Sequence, residues 1–319
     1  MNLYMKLNAT PRTRRRRYAL ALLLLALGVL AFASARFHWH EQLYHSALQT
    51  WGSPSQEQPG LWLPGYTSDG VAKPIAGITD DLSGITYDYD HDRLLAITNG
   101  GSQQILAIDR QGTVQARYQL DGFVDTEDLA YMGNGRVVLV EEIAQRLTFI
   151  QLPEIPQTIR HQQTDQSISL GINLSTTNKG FEGVTYDRAG DRLFVIKERD
   201  PRQLFEIGGV SKSLNGQLSV SVTDRTGWIN DSVFTRDLAG GFFHPQSGHL
   251  LLLSDQSKSL TELDQDGRFV SYLNLGEGLK DLFAGKRQPQ GVTMDNQGNL
   301  YIVAEPNLLY SFTPGKRQH

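Results

Sequence analysis

The sequence predicts an all-β chain: a five-bladed β-propeller preceded by a single N-terminal transmembrane helix. Three observations carry this reading. A strand–turn–strand unit recurs five times, a further strand follows every copy, and an apolar run near the N-terminus is flanked by arginines.

The unit is seen on aligning LSGITYDYDHDRLLAITN from Leu82, TEDLAYMGNGRVVLVEE from Thr126, FEGVTYDRAGDRLFVIKE from Phe181, LAGGFFHPQSGHLLLLSD from Leu238 and PQGVTMDNQGNLYIVAEP from Pro289. Each copy runs from a short strand through a turn rich in Gly, Asp and Asn into a second strand that ends on a polar or acidic residue. Those turn residues accept the backbone conformations that tight hairpins require. Third strands follow at ILAID from Ile105, LTFIQL from Leu147, LFEI from Leu204, LTELD from Leu260 and LYSF from Leu309. Two of them run into another turn, at Asp109–Gly112 and Asp264–Gly267, and then a fourth strand. The equivalent positions Gly84, Asp128, Gly183, Gly240 and Gly291 are 44, 55, 57 and 51 residues apart, the spacing of four-stranded propeller blades. Period-2 patterning without apolar stripes of helical period excludes a helical solenoid.

Strand count also predicts how the ring closes. The fifth unit finishes its third strand near Phe312 with seven residues left, so its outer strand must come from elsewhere. The segment Tyr66 to Ile78 has no other assignment and is the expected donor, which removes a sheet edge and joins the two ends of the domain. The longer intervals are expected as loops or outer hairpins near residues 153–179 and 208–232, with a sixth blade hidden in one of them as the alternative.

Tyr18 to Ala35 is an uncharged, mostly apolar run of 18 residues, long enough to cross a bilayer as a helix. Lys6, Arg12 and Arg14 to Arg17 precede it and would stay cytoplasmic, which places the remainder in the periplasm of a bacterium, held by a single pass through the inner membrane. Ala33-Ser34-Ala35 also fits a signal-peptidase site, so a cleaved signal stands beside the anchor. The expected plan is a basic cytoplasmic segment 1–17, an anchor or signal segment 18–35, a linker 36–65 that opens with a short amphipathic stretch, and a propeller domain 66–315.

Charge and cysteine content narrow the function classes. Residues 1–36 hold seven basic and no acidic residues; the rest has 23 basic against 34 acidic, a net charge near −11. An acidic body does not suit nucleic acid and does suit cations. The absence of cysteine excludes disulfides, cysteine-ligated zinc, iron–sulfur clusters and thiol nucleophiles. The partners this leaves are the membrane, through the N-terminal helix, and a small molecule or protein that the sequence does not specify.

FEGVTYD from Phe181, VIKERDP from Val195 and YIVAEPNLLYSFTP from Tyr301 resemble the bacterial SdiA-regulated family, the YjiK-like proteins, and the likeness covers roughly residues 70–315. The resemblance implies a five-bladed propeller, distantly similar to NHL-type repeats, with a calcium-binding site. It implies no established biochemical activity. One departure stands out: Gln290 occupies the place where the last unit is expected to carry a Glu, as Glu182 does in the third.

In a propeller the first strand of each blade lines the central channel. The residues just before the recurrent glycine position are Ser83, Glu127, Glu182, Ala239 and Gln290, and a second ring at the ends of the second strands holds Asn99, Glu141 or Glu142, Glu198, Asp255 and Glu305. Converging carboxylates suit calcium, which takes six to eight oxygen ligands. Glu127 and Glu182 are the foremost candidate ligands, followed by Glu305, with Gln290, Glu198 and Asp255 completing the set. The competing reading is that each acid caps a strand or pairs with Lys197, Arg199 or Arg287. His91, His244 and His249 fall in or beside turns and His161 in an insert, so no histidine base reaches the channel; Glu198 or Asp255 are the carboxylate alternatives. There is no G-x-S-x-G elbow and no phosphate-binding P-loop. The function expected is a calcium-binding ligand- or protein-interaction module of the cell envelope, with a calcium-dependent hydrolase of a small ester, lactone or phosphoester as the alternative.

Overall fold

The second strand of every unit is an unbroken apolar run, as a strand must be when both of its faces are buried. In the computed structural model, which describes residues 11–37, 39–51, 60–68, 70–79, 81–164, 166–171, 180–278 and 287–315, these runs sit in the middle of five sheets. Helices α1 (Pro11–Phe37) and α2 (Trp39–Trp51) come first, followed by short strands β1 (Tyr66–Ser68) and β2 (Lys73–Pro74). Blade 1 comprises β3 (Leu82–Asp88), β4 (Arg93–Thr98), β5 (Gln104–Ile108) and β6 (Val114–Asp121). Blade 2 begins with β7 (Thr126–Gly133), β8 (Arg136–Glu141) and β9 (Arg146–Gln151). The next insert gives β10 (Ile159–Arg160), parallel to β6, and β11 (Gln166–Ser169), which completes blade 2 against β9. Blade 3 has β12 (Phe181–Asp187), β13 (Arg192–Lys197) and β14 (Gln203–Gly208), then helix α3 (Val210–Leu214) and its outer strand β15 (Ser221–Asp224). Helix α4 (Thr226–Ser232) leads to blade 4, made of β16 (Gly240–His244), β17 (His249–Ser254), β18 (Ser259–Leu263) and β19 (Phe269–Asn274).

Blade 5 holds β20 (Pro289–Met294), β21 (Leu300–Ala304) and β22 (Leu308–Pro314), and β1 supplies its fourth strand. Tyr66, Thr67 and Ser68 pair antiparallel with Pro314, Thr313 and Phe312, while β2 pairs with the other end of β22. The expected donor segment therefore does close the ring. The sixth-blade alternative is overturned among the described residues: the two inserts are consumed by the outer strands β10, β11 and β15 and by two short helices.

Alternation along the second strands sends neighbouring side chains to opposite inter-blade interfaces. Leu94 and Ala96 face blade 5, whereas Leu95 and Ile97 face blade 2. Likewise Leu250 and Leu252 pack toward blade 3, and Leu251 and Leu253 toward blade 5. The core is thus five apolar wedges, one between each pair of adjacent blades.

The innermost strands β3, β7, β12, β16 and β20 each touch both neighbours around the axis. A β-carbon at Gly240 would lie 2.6 Å from the Gln290 carbonyl oxygen, and one at Gly291 would lie 2.8 Å from the Ile85 amide nitrogen. The recurrent glycines mark this close approach. Blade 2 departs from the rule with Asp128, whose fully buried carboxylate accepts the Leu129 and Val184 amides, both at 2.8 Å, and faces the Ile85 amide. It bridges the inner strands of three blades.

Helix α2 is docked, not a free linker. The Glu41 carboxylate accepts from Ser257 Oγ, and Arg236 lies 3.5 Å away. His45 stacks on Tyr272 at 5.2 Å and accepts the Phe234 amide, while Gln49 Oε1 accepts the Tyr272 amide of edge strand β19 at 2.9 Å. Residues 52–59 of the expected linker lie outside the described residues, and beyond them the Leu61 and Leu63 amides bond Glu262 and Ser271 of blade 4.

Replacing Asp128 by Ala strands buried amides on three blades. We expect Asp128→Ala to lose roughly 2–4 kcal/mol of stability, read as a lower midpoint in urea unfolding of the full chain. A midpoint equal to that of the unaltered protein would show that the bridge contributes nothing.

Candidate metal centre

The register of the innermost strands puts the residue before each axial glycine at one end of the channel. Glu127, Glu182, Glu198, Asp255, Gln290 and Glu305, the six sequence-predicted ligands, all line one small, almost wholly polar cavity of about 230 Å³ there. Ser83, Ala239 and Asn99 join them, so nine of the ten ring positions line the cavity, the exception being the blade 2 position Glu141 or Glu142. Their environments divide them into two groups.

The first group is already satisfied. Glu198 pairs with Arg199 at 2.9 Å, and Asp255 pairs with Lys258, whose Nζ also donates to the Arg287 carbonyl at 2.9 Å. Glu305 Oε1 accepts from the Gln290 amide at 2.8 Å, so the Gln at the variant position ties up the neighbouring acid. Lys197, one of the expected counter-ions, instead donates to the carbonyls of Arg199 and Pro201.

The second group is a knot of carboxylates. Oxygens of Asp125, Glu127 and Glu142 all lie within 4.8 Å of one another, and Glu182 stands against Glu142. Asp125 comes from the turn before β7, where its φ is +58°, and its carbonyl accepts the Glu142 amide at 2.9 Å. Glu142 is fully buried: Oε1 accepts the Gly180 amide at 2.8 Å, whereas Oε2 has no hydrogen-bond partner among the described residues. Asn99 Nδ2 reaches Glu127 at 2.5 Å and Asp125 at 3.4 Å. Burial pushes the Glu127 carboxyl up to about 8, with Asp125, Glu142 and Glu305 adding repulsion. The Glu182 and Glu142 carboxyls are pushed up for the same reasons, burial first.

The ambiguity between Glu141 and Glu142 is resolved by strand geometry. Glu141, the last residue of β8, turns away and is held by Arg146, Thr148 and His161. Asp125 stands outside the two predicted rings but inside the repeat: Asp81 and Asp237 hold the same position in blades 1 and 4, and the Asp81 carbonyl likewise accepts the Asn99 amide, so the recurring acid was the signal that could have found it. No histidine lines this cavity among the described residues.

The family model for SdiA-regulated proteins matches residues 58–313, the whole propeller. The chain belongs to the SdiA-regulated family. Among solved structures, this SdiA-regulated chain is similar to one in a nidogen/laminin complex, at 13% identity and a TM-score of 0.44 over 70% of this chain and 71% of that one. It is similar to a streptogramin B lyase at 10% identity and a TM-score of 0.42, over 80% and 75% of the two chains. It is also similar to a protein of unknown function from Bacteroides caccae at 14% identity and a TM-score of 0.44, over 66% and 71%.

The raised carboxyls of this SdiA-regulated protein fix a pH dependence. A folded pKa above the ordinary value means that the folded state holds more protons, so stability falls as pH rises toward that pKa. His45 and His244, which burial lowers to about 4, oppose this trend only below their ordinary 6.5. In chelator, the thermal midpoint should therefore fall between about pH 6.5 and about pH 8, and Glu127→Gln should flatten the slope. A midpoint that rises over this window would contradict the assignment.

Proposed function

We propose that this protein is a membrane-anchored periplasmic propeller that binds calcium at Asp125, Glu127, Glu142 and Glu182. On this reading the loaded channel mouth serves as a ligand- or protein-interaction site of the cell envelope. The observation that carries the reading is Glu142, whose buried Oε2 has no hydrogen-bond partner among the described residues and whose carboxylate shares a 4.8 Å cluster with those of Asp125 and Glu127. Buried carboxylates left so are costly, and a hard cation relieves the cost. The donor set is all oxygen, which suits calcium over softer metals. Its protein ligands would be the four carboxylates, with the Asn99 side chain beside them. Gln290 and Glu305 satisfy each other, so they belong to the rim, and Glu198 and Asp255 are ion-paired wall residues.

The anchoring half of the proposal rests on Arg15–Ala35, a helical stretch long and apolar enough to cross a membrane and not buried against the rest of the chain. The arginines before it favour a cytoplasmic N-terminus. A signal-peptidase cut after Ala35 would still leave α2 attached to the propeller, because α2 begins at Trp39.

Calcium added to the chelated full chain in detergent should raise the thermal midpoint by roughly 5–10 °C at a hundredfold excess over Kd. Glu142→Gln should abolish most of that shift, whereas Glu305→Gln should keep it. The metal assignment fails if millimolar calcium leaves the unaltered protein where it was.

One observation favours the hydrolytic alternative: burial pushes Glu198 up to about 7 in spite of Arg199, and a carboxyl near neutrality suits a general base. Turnover of a small ester, lactone or phosphoester that is lost in Glu198→Gln while calcium binding persists would establish it. An absence of turnover across those substrates would leave the interaction module.

A further inference from the structure

The acidic cavity occupies one end of the channel, and the other end is chemically its opposite. There the C-terminal halves of the same five inner strands wall a cavity of about 590 Å³, a volume suited to a small organic ligand. One register position supplies Tyr87, Tyr131, Tyr186, Phe243 and Met294, one from each blade, so the wall is mostly aromatic and apolar.

The hydroxyls of this wall are already bonded. Tyr87 donates to Asp92 at 2.5 Å, Tyr131 to Asp90 at 2.6 Å and Tyr186 to Asp191 at 3.0 Å. Burial and Asp92 hold the Tyr87 phenol up at about 12, so it stays neutral. His244 is neutral as well, since burial lowers it to about 4, and its Nδ1 faces Ser247 Oγ at 2.8 Å. The wall is therefore mainly apolar: Tyr87, Tyr131, Phe243 and Met294 are anchored in the inter-blade wedges, and the more exposed Tyr89, Tyr186 and Phe242 line the cavity beside them.

Two features at this end are not spoken for in the same way. Thr86 and Thr185 each accept an amide from the following blade, at 3.1 and 2.9 Å. Their counterpart Thr293, also in the wall, has a buried Oγ1 without a hydrogen-bond partner among the described residues. Of the two charged lining residues, Asp295 is paired with Arg110 at 2.7 Å. Arg188 is exposed at the rim, its guanidinium 5.3 Å from the centre of the Tyr89 ring; it also bonds the Tyr89 side chain and attracts Asp90, but faces solvent on its other side.

We propose that this cavity is a second ligand site, separate from the carboxylate knot, that takes a small planar aromatic monoanion. Its ring would lie against the tyrosine wall and its anionic group would meet Arg188. A sugar would bring many hydroxyls to phenols that are already bonded, and burying unmatched polar groups is unfavourable. A cation would meet Arg188 where it covers the Tyr89 ring.

The test is calorimetric titration of the full chain in lipid nanodiscs with 2-naphthoate, and with neutral naphthalene-2-carboxamide beside it. Saturable binding of naphthoate is expected. Arg188→Gln should weaken it about tenfold, the size of one charge-assisted contact, and leave the carboxamide unchanged. Ala189→Trp, at an exposed position of the rim, should block both compounds; Gln246→Trp, exposed on the blade 4 side, repeats the block if the first variant folds poorly. Chelator should leave naphthoate binding as it was. The proposal is overturned if naphthoate does not bind saturably, if folded Trp variants bind it as well as the unaltered chain, or if Arg188→Gln has no effect.

Discussion

The close approach of the five inner strands at the axis is the constraint on which the rest depends. At Gly84, Gly240 and Gly291 a β-carbon would collide with the backbone of the next blade. The strands therefore meet backbone to backbone, and the channel has a waist. Asp128 reads as a plug in that waist, replacing a missing glycine with a carboxylate that binds amides of the blades on either side. Residues one step before the waist point into one mouth, and residues three steps beyond it line the other. A single register decision creates two cavities, and the repeat guarantees that all blades contribute to both.

Why the mouths differ follows from what each position must satisfy. On the aromatic side, the turns carry Asp90, Asp92 and Asp191, which accept the tyrosine hydroxyls and leave the rings as an apolar wall. On the acidic side the same accounting fails in one place. Glu198 and Asp255 have cations, and Glu305 has Gln290, but the group around Glu142 has neighbours of its own sign. Like charges in a partly desolvated site raise one another's pKa and cost stability. Most other buried acids here are met by a basic side chain, as Asp88, Glu141, Asp187 and Glu262 are, or by backbone amides, as Asp128 is, and the exception around Glu142 is the physical content of the calcium proposal.

Much of this was legible in the sequence because propeller physics repeats. The runs LLAI, VVLV, LFVI, LLLL and LYIVA are apolar on both faces, and each proved to be a central strand shared between two wedges. The strand deficit at Phe312 pointed to Tyr66, which pairs with Pro314. All six candidate acids and amides reached one cavity because position in a repeat fixes position around the axis. What a repeat cannot encode is what only one blade does. Asp81 and Asp237 share the register position of Asp125, yet only in blade 2 do glutamates hold both ring positions beside that acid, and Glu141 and Glu142 differ only in whether the strand has ended. The tyrosine column Tyr87, Tyr131 and Tyr186 was visible in the alignment, but core and cavity wall carry the same residue types, and only the packing distinguishes them.

The N-terminal segment does more than precede the propeller, because a propeller's exposed edges are its outer strands. Blades 4 and 5 are the ones it treats. Helix α2 lies on β19 and satisfies the Tyr272 amide through Gln49, and the returning chain meets the same blade again where the Leu63 amide donates to Ser271 Oγ. Three residues later β1 covers the edge of β22. Unpaired edge amides invite pairing with another chain, so the covering is protective as well as structural. It also makes the anchor-or-signal question nearly irrelevant to the domain. Every contact that seals these two edges lies beyond Ala35, so the ring is closed by the same residues whether the chain stays in the membrane or leaves it.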